Sequence, residues 1–415
     1  METLDKRGIG MRVKDIRWVL TVPAIWTDAA KQFMRKSAEK AGIPGENLLI
    51  TLEPEAASIY CQYLPTEKLN SAEEGFTMSE VGTKYMIIDL GGGTADMTVH
   101  EKKENEKLKE LCQATGDACG GTSIDNEFFQ LMRIRNYKRT INPNKSGKVN
   151  FTIPFVAIDT LCEKNFGEDF KSTVSSCSMS DKISLRHDKM RAEADVLKGL
   201  FSKSMDDIVG HISKLIKQCE GISMLLLVGG FSESEMIQHA IQKEFPDIRI
   251  IIPEDAGLSV LKGAVLFGHK PDYISSRVTR YTYGIGTRLD FNRNIHDQTR
   301  LVIIDGKEMC KKCFWPIIKS NQTTTVGTKV RNRLHSTKKF EKSLVLPVYA
   351  SYKESPMFID EPGCMHIGTV YINIPNPSEY KLYVNVEFYF GNTELTVTTT
   401  EEVTGHTETA KFDLV

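Results

Sequence analysis

Hydrophobic and polar positions follow two rhythms along this chain, and the change between them divides it. Up to about residue 270, short apolar runs alternate with stretches of helical period; from Pro271 onward a two-residue alternation takes over. Arg17–Val22 (RWVLTV) is apolar and β-branched and predicts a buried strand that Pro23 ends. Thr27 is placed to cap a helix from Asp28, with Ala29, Phe33, Ser37 and Ala41 on related faces and Gly42 as its stop. Asn47–Leu52 predicts a strand, and Pro54 opens a short helix that runs to Tyr63. This β-α-β-α order predicts an α/β layer. Leu64–Gly82 then reads as a polar loop.

Met86–Thr98 (MIIDLGGGTADMT) predicts strand, tight glycine turn, strand. The charged run Glu101–Glu110 predicts a solvated hairpin tip or strand edge. Cys112–Ser123 carries Gly116, Gly120 and Gly121, and a helical pattern follows over Ile124–Ile134 with Ile124, Phe128 and Leu131 as its buried stripe. Met190–Glu220 reads as mostly helical, with His211 a packed histidine on its apolar stripe rather than a ligand. Met224–Val228 (MLLLV) predicts a central strand buried on both faces. It runs into Gly229-Gly230-Phe231-Ser232 and a helix, Glu233–Phe245. Arg249–Ile252 predicts a strand, and Ala256–Gly268 a helix whose Gly257, Gly263 and Ala264 permit close packing. A boundary falls near 271–280, giving a first domain over 1–272 and a β-rich region over 273–415. In the latter, Tyr281–Thr287, Arg300–Ile304, Ser343–Tyr352, Gly368–Ile374, Lys381–Phe390 and Thr393–Thr400 are strand-like. Gly391-Asn392 suits a two-residue turn, Thr404-Gly405 marks the next, and Ala410–Val415 is expected to return as a strand.

Composition narrows the function classes. The 415 residues suit about two or three domains. A net charge of -1 gives no global field for nucleic acid or an anionic membrane. The basic stretch Asn136–Lys148 has no aromatic stacking array and reads as a surface loop. No apolar run is long enough to span a bilayer, and Met1–Gly10 is not a secretory signal. Nine scattered cysteines read as reduced thiols and a cytoplasmic location. Cys310-x-x-Cys313 has metal or redox spacing but no second pair nearby.

Candidate chemistry centres on the glycine turn. Gly91, Gly92 and Gly93 lack a Cβ, so backbone and ligand can approach closely, and successive N–H groups there form a concavity for anionic oxygens. Asp89 and Asp96 flank the turn, as residues that hold a magnesium ion and orient a water would. The alternative is a glycine-rich hairpin with no ligand. Gly229-Gly230, at a strand-to-helix junction, is a second place for close approach to a nucleotide.

Six stretches, in this order, carry a family likeness: LTVPAIW (20–26), LEPEAASIYC (52–61), IDLGGGTADMTV (88–99), GGTSID (120–125), LLLVGGFSESEMIQ (225–238) and PEDAGLSVLKGAVLFG (253–268). Together they resemble the ATPase domain of the 70-kDa heat shock proteins, and EPEAASIYC, VGGF and LKGAVLFG resemble its divergent heat shock 70 kDa protein 12 branch. The resemblance implies an α/β fold: an actin-like (ribonuclease-H-like) two-lobed ATPase domain, followed by a β-rich domain akin to a degenerate substrate-binding sandwich without a helical lid. It implies ATP and Mg2+ as cofactors. Asp89 matches the acid beside magnesium and the attacking water, Asp96 a second acid near the metal, and Glu53 a glutamate reaching magnesium-bound water. Gly91, Gly92, Gly93 and Thr94 match the turn on the β- and γ-phosphates. Gly120 and Gly121 match a glycine pair near the cleft; Gly229, Gly230 and Phe231 lie in the adenosine-side turn, with Glu254 an acid close by. The expected function is an ATP-binding, stress-response chaperone type that takes unfolded peptides or protein partners on the β-rich region. A non-enzymatic scaffold and, last, a metabolite kinase on the same fold are the rivals.

Two departures modify the expectation. Glu233 stands where the family stacks an arginine on adenine, and Phe231 replaces a serine, so adenine binding is expected to differ or weaken. Nothing in Met1–Arg17 resembles the family's opening aspartate-glycine-threonine-threonine hairpin or its later lysine, so the two-lobed domain reads as incomplete at the N-terminus. A shortened isoform, an incomplete gene model and a degenerate paralogue remain open. The expected results are impaired hydrolysis, an unpaired edge on a sheet holding both Trp18–Val22 and Ile87–Leu90, and reliance on a partner for solubility.

Overall fold

The computed structural model describes residues 12–64, 69–70, 80–124, 141–176, 180–304, 306–335, 340, 342–374, 377, 379–380 and 382–410. β1 (Trp18–Val22) runs parallel to β2 (Leu48–Leu52), with Trp18 opposite Leu48 and Val22 opposite Leu52. α1 (Asp28–Lys40) connects them, and the Thr27 hydroxyl accepts from the Ala30 N–H at 3.3 Å, as the capping reading required. α1 has no fully buried residue: Phe33 is 64% exposed, while Met34 packs against the cluster of Val22, Ile50 and Leu52. α2 (Glu53–Cys61) follows at once, with Pro54 in its first turn.

After β3 (Leu69–Asn70), the chain forms β4 (Lys84–Leu90), β5 (Ala95–Lys102) and β6 (Leu108–Asp117). Of the charged run between them, only the tip is solvated. Lys102 and Glu110 are 4% and 5% exposed: the Lys102 ammonium donates to Gln62 and Glu110 accepts from the Val278 N–H at 2.8 Å, so partners inside the fold override charge as a guide to exposure. Helical structure begins at 121–124, with Ile124 buried; Phe128 and Leu131 lie outside the described residues. β7 (Lys148–Thr152), α3 (Phe155–Phe166), α4 (Phe170–Ser176), β8 (Ile183–Arg186) and β9 (Lys189–Glu193) then form a unit with its own three-stranded sheet. Met190–Glu193 is therefore strand, not helix: Met190 and Ala192 alternate inward, a signal too short for a helical window to resolve. α5 (Ala194–Gly199) and α6 (Ser202–Gln218) follow, then β10 (Met224–Val228), α7 (Glu235–Glu244), β11 (Arg249–Pro253), α8 (Ser259–His269) and β12 (Ile274–Val278).

The remainder is β13 (Thr282–Asp290), β14 (Leu301–Ile304), β15 (Lys307–Ile318), β16 (Thr323–Thr325), β17 (Thr328–His335), β18 (Ser343–Ser351), β19 (Cys364–Asn373), β20 (Tyr383–Phe390), β21 (Thr396–Glu401) and β22 (Thr407–Ala410). β15, β16 and β17 were not foreseen from the pattern, and β22 ends where the expected Ala410–Val415 strand begins, residues 411–415 lying outside the described residues. Cys310 and Cys313 lie buried within β15. Tyr389 pairs with Thr396, so residues 390–395 bridge the strands and Gly391-Asn392 is not a two-residue turn. Gly391 serves another purpose: φ is +82° and a Cβ there would lie 2.3 Å from the Thr325 carbonyl oxygen. Thr404-Gly405 does turn the chain, with Thr400 opposite Thr407. Sheets β14-β15-β13-β18-β19 and β17-β20-β21-β22 share an apolar core, into which Val384, Val386, Phe388 and Phe390 project by alternation.

The central sheet has the order β16-β12-β6-β5-β4-β10-β11-β3, so chain from both sides of residue 280 contributes to it. β1 and β4 do not share a sheet: β4 is flanked by β5 and β10, which occupy both of its edges, and the expected open edge beside Ile87–Leu90 is absent. Alternation along β4 feeds two cores. Met86, Ile88 and Leu90 face the cluster that includes Ile208, Ile212 and Leu215 of α6; Tyr85 and Ile87 face that of Ala57 and Ile59 of α2 and Phe267 of α8. α8 lies so close on α2 that a Cβ at Gly263 would sit 1.7 Å from the Ala56 carbonyl oxygen. Gly263→Ala is expected to cost more than about 2 kcal/mol, because both clashing atoms are backbone-fixed; a denaturation midpoint within error of wild type would refute this contact. Arg277, in β12, makes a bidentate ion pair with Glu55 of α2 at 2.6 and 2.8 Å, and Arg35 of α1 pairs with Glu394 at 2.6 Å.

Candidate nucleotide site

Parity along β4 decides where the acids go. Asp89 shares the face of Tyr85 and Ile87, the face covered by α2. Asp96 stands directly opposite Asp89 in the β4–β5 ladder, so the two carboxyl groups project to the same side. Glu53 is the first residue of α2 and joins them from that side. Burial pushes the Asp89 carboxyl up to about 8, with the charges of Glu53 and Asp96 adding to it. Burial, then Asp96, pushes Glu53 up to about 7. Burial also raises Asp96, against hydrogen bonds from the Thr94 side chain and the Ile25 and Ala24 backbone and the charge of Arg280. The Ile25 N–H donates to Asp96 Oδ1 at 3.0 Å, while the buried Asp96 Oδ2 has no partner.

The turn beside this cluster is built from close backbone approaches. Gly91 N–H donates to the Thr94 carbonyl at 3.0 Å, and the Gly121 and Thr122 N–H groups donate to the Gly91 and Gly92 carbonyls at 3.0 and 2.6 Å. A Cβ on Gly120 would lie 2.7 Å from the Thr94 nitrogen and 2.8 Å from the Gly91 oxygen, so the second glycine pair seats directly on the first turn. Gly92 and Gly93 face open space and are exposed. Gly120→Val is expected to push these turns apart, costing about 1–3 kcal/mol, read by chemical denaturation; an unchanged midpoint would count against the seating. From the other side, Val228 pairs with Asp89, and Gly229 turns at φ +84°. A Cβ on Gly229 would lie 2.5 Å from Asp89 Oδ1 and from the Leu90 oxygen. The Gly229 N–H donates to the Ala256 carbonyl at 2.9 Å, and Gly257 approaches Gly230.

The structure thus brings together Asp89, Asp96, Glu53, Gly91–Thr94, Gly120, Gly121, Gly229 and Gly230. The Phe231 side chain is buried in the apolar core with Met236 and Ile237. Glu254 is exposed at the end of β11, and Glu233 is exposed in the turn after Gly230. Two contributors escaped the sequence reading. The Ala24–Ile25 backbone caps Asp96 from within the LTVPAIW stretch; Arg280, which donates to the Ile25 carbonyl, arrives from far along the chain with no local signal.

A model of the Hsp70 protein family matches residues 1–331. The chain belongs to the Hsp70 family. It is 30% identical to heat shock 70 kDa protein 12A of Homo sapiens, across all of this chain and 73% of that protein, and 28% identical to heat shock 70 kDa protein 12B of Homo sapiens with the same coverage. It is 25% identical to chaperone protein DnaK of Mycoplasma mobile, over 68% of this chain and 45% of that one. Among solved structures, MreB5 of Spiroplasma citri bound to AMPPNP is 14% identical with a TM-score of 0.41, covering 60% of this chain and 67% of that one. The ADP-bound form gives 13%, 0.43, 61% and 69%. The Hsp70-family fold is the actin-like, two-lobed ATPase type that the ordered motifs implied.

Among the described residues, no three His, Cys, Asp or Glu side chains close into a metal cage by themselves, at the carboxyl cluster or at Cys310 and Cys313. Magnesium does not need such a cage, since it keeps several waters and is held by one or two carboxylates plus substrate phosphates. The unpartnered Asp96 Oδ2 and three acids that burial resists ionising are the donor set such an ion would complete. No helix among the described residues is long and apolar enough to cross a membrane.

Proposed function

We propose that this Hsp70-family chain binds magnesium-ATP between the Gly91–Thr94 turn, the Gly120–Gly121 pair and the Gly229–Gly230 turn, and hydrolyses it slowly. The observation that carries this is the convergence of all three glycine segments on the buried Asp89–Asp96 pair. Gly91, Gly92, Gly93 and Thr94 would take the β- and γ-phosphates, Gly229 and Gly230 the adenosine side with Glu254 at its rim, and Asp89 and Asp96 the magnesium. The ion, when bound, supplies positive charge to phosphate and carboxylate oxygens. Asp89 is the residue to orient the attacking water and hold its proton on a carboxylate oxygen, with Gly229 fixing that carboxylate from behind; Glu53 would steady the hydration shell. Slow turnover follows from charge: among the described residues no lysine or arginine acts on Asp89 or Glu53, and of the three acids Arg280 acts only on Asp96. Removing one charged group that acts at the transition state costs about 100- to 1000-fold in rate.

Calorimetric titration of this chain with magnesium-ATP tests the reading, with Asp89→Ala as control. Saturable binding that disappears in the variant is the expected result; no binding by a cooperatively folded wild type refutes it. The scaffold alternative, a fold kept for partner binding with chemistry lost, draws support from Glu233 at the adenine side and from Asp89 and Glu53 having no lysine or arginine acting on them among the described residues. ATP turnover abolished by Asp89→Asn would exclude it. Chaperone-type capture of unfolded peptide by the β13–β22 region is the remaining part of the proposal, and a labelled-peptide panel showing no binding would remove it.

A further inference from the structure

We propose that Glu233 makes the base subsite of this cleft select guanine over adenine nucleotides. The inference rests on the nucleotide reading above and deepens it by naming the base. Beyond Asp89, two short turns lie side by side: Gly230–Glu233, after β10, and Ala256–Leu258, after β11. The Gly229 N–H bond to the Ala256 carbonyl at 2.9 Å joins them, and a Cβ on Gly257 would lie 3.7 Å from the Gly230 Cα. Gly230 and Gly257 are both exposed, so the two turns present a floor of bare backbone on which a flat ring can lie. The floor starts where Gly229 abuts Asp89 and leads on from the acids.

Glu233 stands at the rim of this floor: the same Cβ on Gly257 would lie 3.7 Å from Glu233 Oε1. The turn that carries it is held from beneath. Phe231 is anchored in the core, the buried Ser232 hydroxyl donates to the Gly229 carbonyl at 2.6 Å, and the Gln238 side-chain amide donates to the Ser232 carbonyl at 2.8 Å. Glu233 itself is exposed and, among the described residues, has no hydrogen-bond or ion-pair partner. The cation of the adjoining helix does not neutralise it: Lys262 of α8 donates to Asp255 and to the Tyr60 hydroxyl, the latter at 3.0 Å. A free carboxylate accepts hydrogen bonds and cannot donate them, so it reads a ring edge that donates. Guanine places N1–H and the 2-amino group side by side, one for each carboxylate oxygen, in a charge-assisted pair. Adenine offers its 6-amino group beside N1, whose lone pair would face the second oxygen. Hypoxanthine keeps the N1–H and lacks the 2-amino group, and so stands between them.

The test is calorimetric titration of the full chain with the magnesium complexes of GTP, ITP and ATP in turn. The expected dissociation constants rise in that order, with GTP about 10-fold or more tighter than ATP, the discrimination a well-placed bidentate pair gives. In Glu233→Gln the GTP preference should vanish and ATP binding should tighten, because an amide carries one acceptor and one donor and matches the adenine edge. The side chain is exposed, so the variant should melt as wild type does. ATP bound as tightly as GTP by wild type, or a GTP preference unchanged in Glu233→Gln, would overturn the base assignment; binding that Asp89→Ala still abolishes would leave the glycine-cleft reading standing. No binding of any of the three by a folded wild type would overturn both.

Discussion

Arg277→Ala is expected to lower folding stability by about 3–5 kcal/mol, because it strands a buried carboxylate. Glu55 is 1% exposed and takes both of its hydrogen bonds from the Arg277 guanidinium. Glu110, itself buried and pushed up to about 8, lies close enough for its charge to act on both partners. Without Arg277, two buried acids are left in one site, and Glu55 must take a proton or open the packing between α2 and β12. Arg277 also donates to the Gly391 carbonyl, so the substitution frees the 390–395 connection of the β-rich region. Urea denaturation at neutral pH reads the loss, and the double variant Glu55→Leu/Arg277→Met should recover much of it, since an apolar pair of similar volume needs no desolvation of charge. A single-variant loss under about 1 kcal/mol would show that water or another cation already compensates Glu55.

Legibility differed with the range of the signal. The glycine turn, Asp89 and Asp96 could be placed because their geometry is local: a strand, a turn and a strand fix both acids on one face. Val384 to Phe390 were readable for the same reason, since alternation alone determines which side is buried. Lys102 and Glu110 were misread because their burial depends on Gln62 and Val278, distant in sequence. β15 escaped notice because Lys312 adopts φ +61° in mid-strand, where the register to β13 shifts, and breaks the two-residue period between Cys310 and Cys313. The sheet assignment of β1 failed for a related reason: apolar composition marks a strand as buried but does not name its neighbour.

Between pH 6.5 and 8 the metal-free chain is expected to lose stability as pH rises. Asp89 ionises near 8 when folded, against an ordinary 3.8, and Glu53 near 7 against 4.5. Over the interval between those values the folded state holds more protons than the unfolded one, so raising pH favours unfolding. His100, which burial lowers to about 4 from 6.5, contributes in the opposite sense, its stability lost as pH falls below 6.5, and adds little above that. Asp89 alone accounts for at most about 2 kcal/mol across the window, one proton at about 1.4 kcal/mol per pH unit. Asp89→Asn should therefore flatten the slope and raise the melting temperature at pH 8 while removing magnesium-nucleotide binding, the signature of acids kept for a ligand rather than for the fold. Glu110, pushed up by the same burial but paired with the Val278 N–H away from the cluster, leaves a residual slope that magnesium-ATP does not change. In wild type, magnesium-ATP should restore most of the stability lost at pH 8. A pH profile of melting temperature, with and without magnesium-ATP, that is the same for wild type and Asp89→Asn would show that Asp89 carries neither the strain nor the ligand.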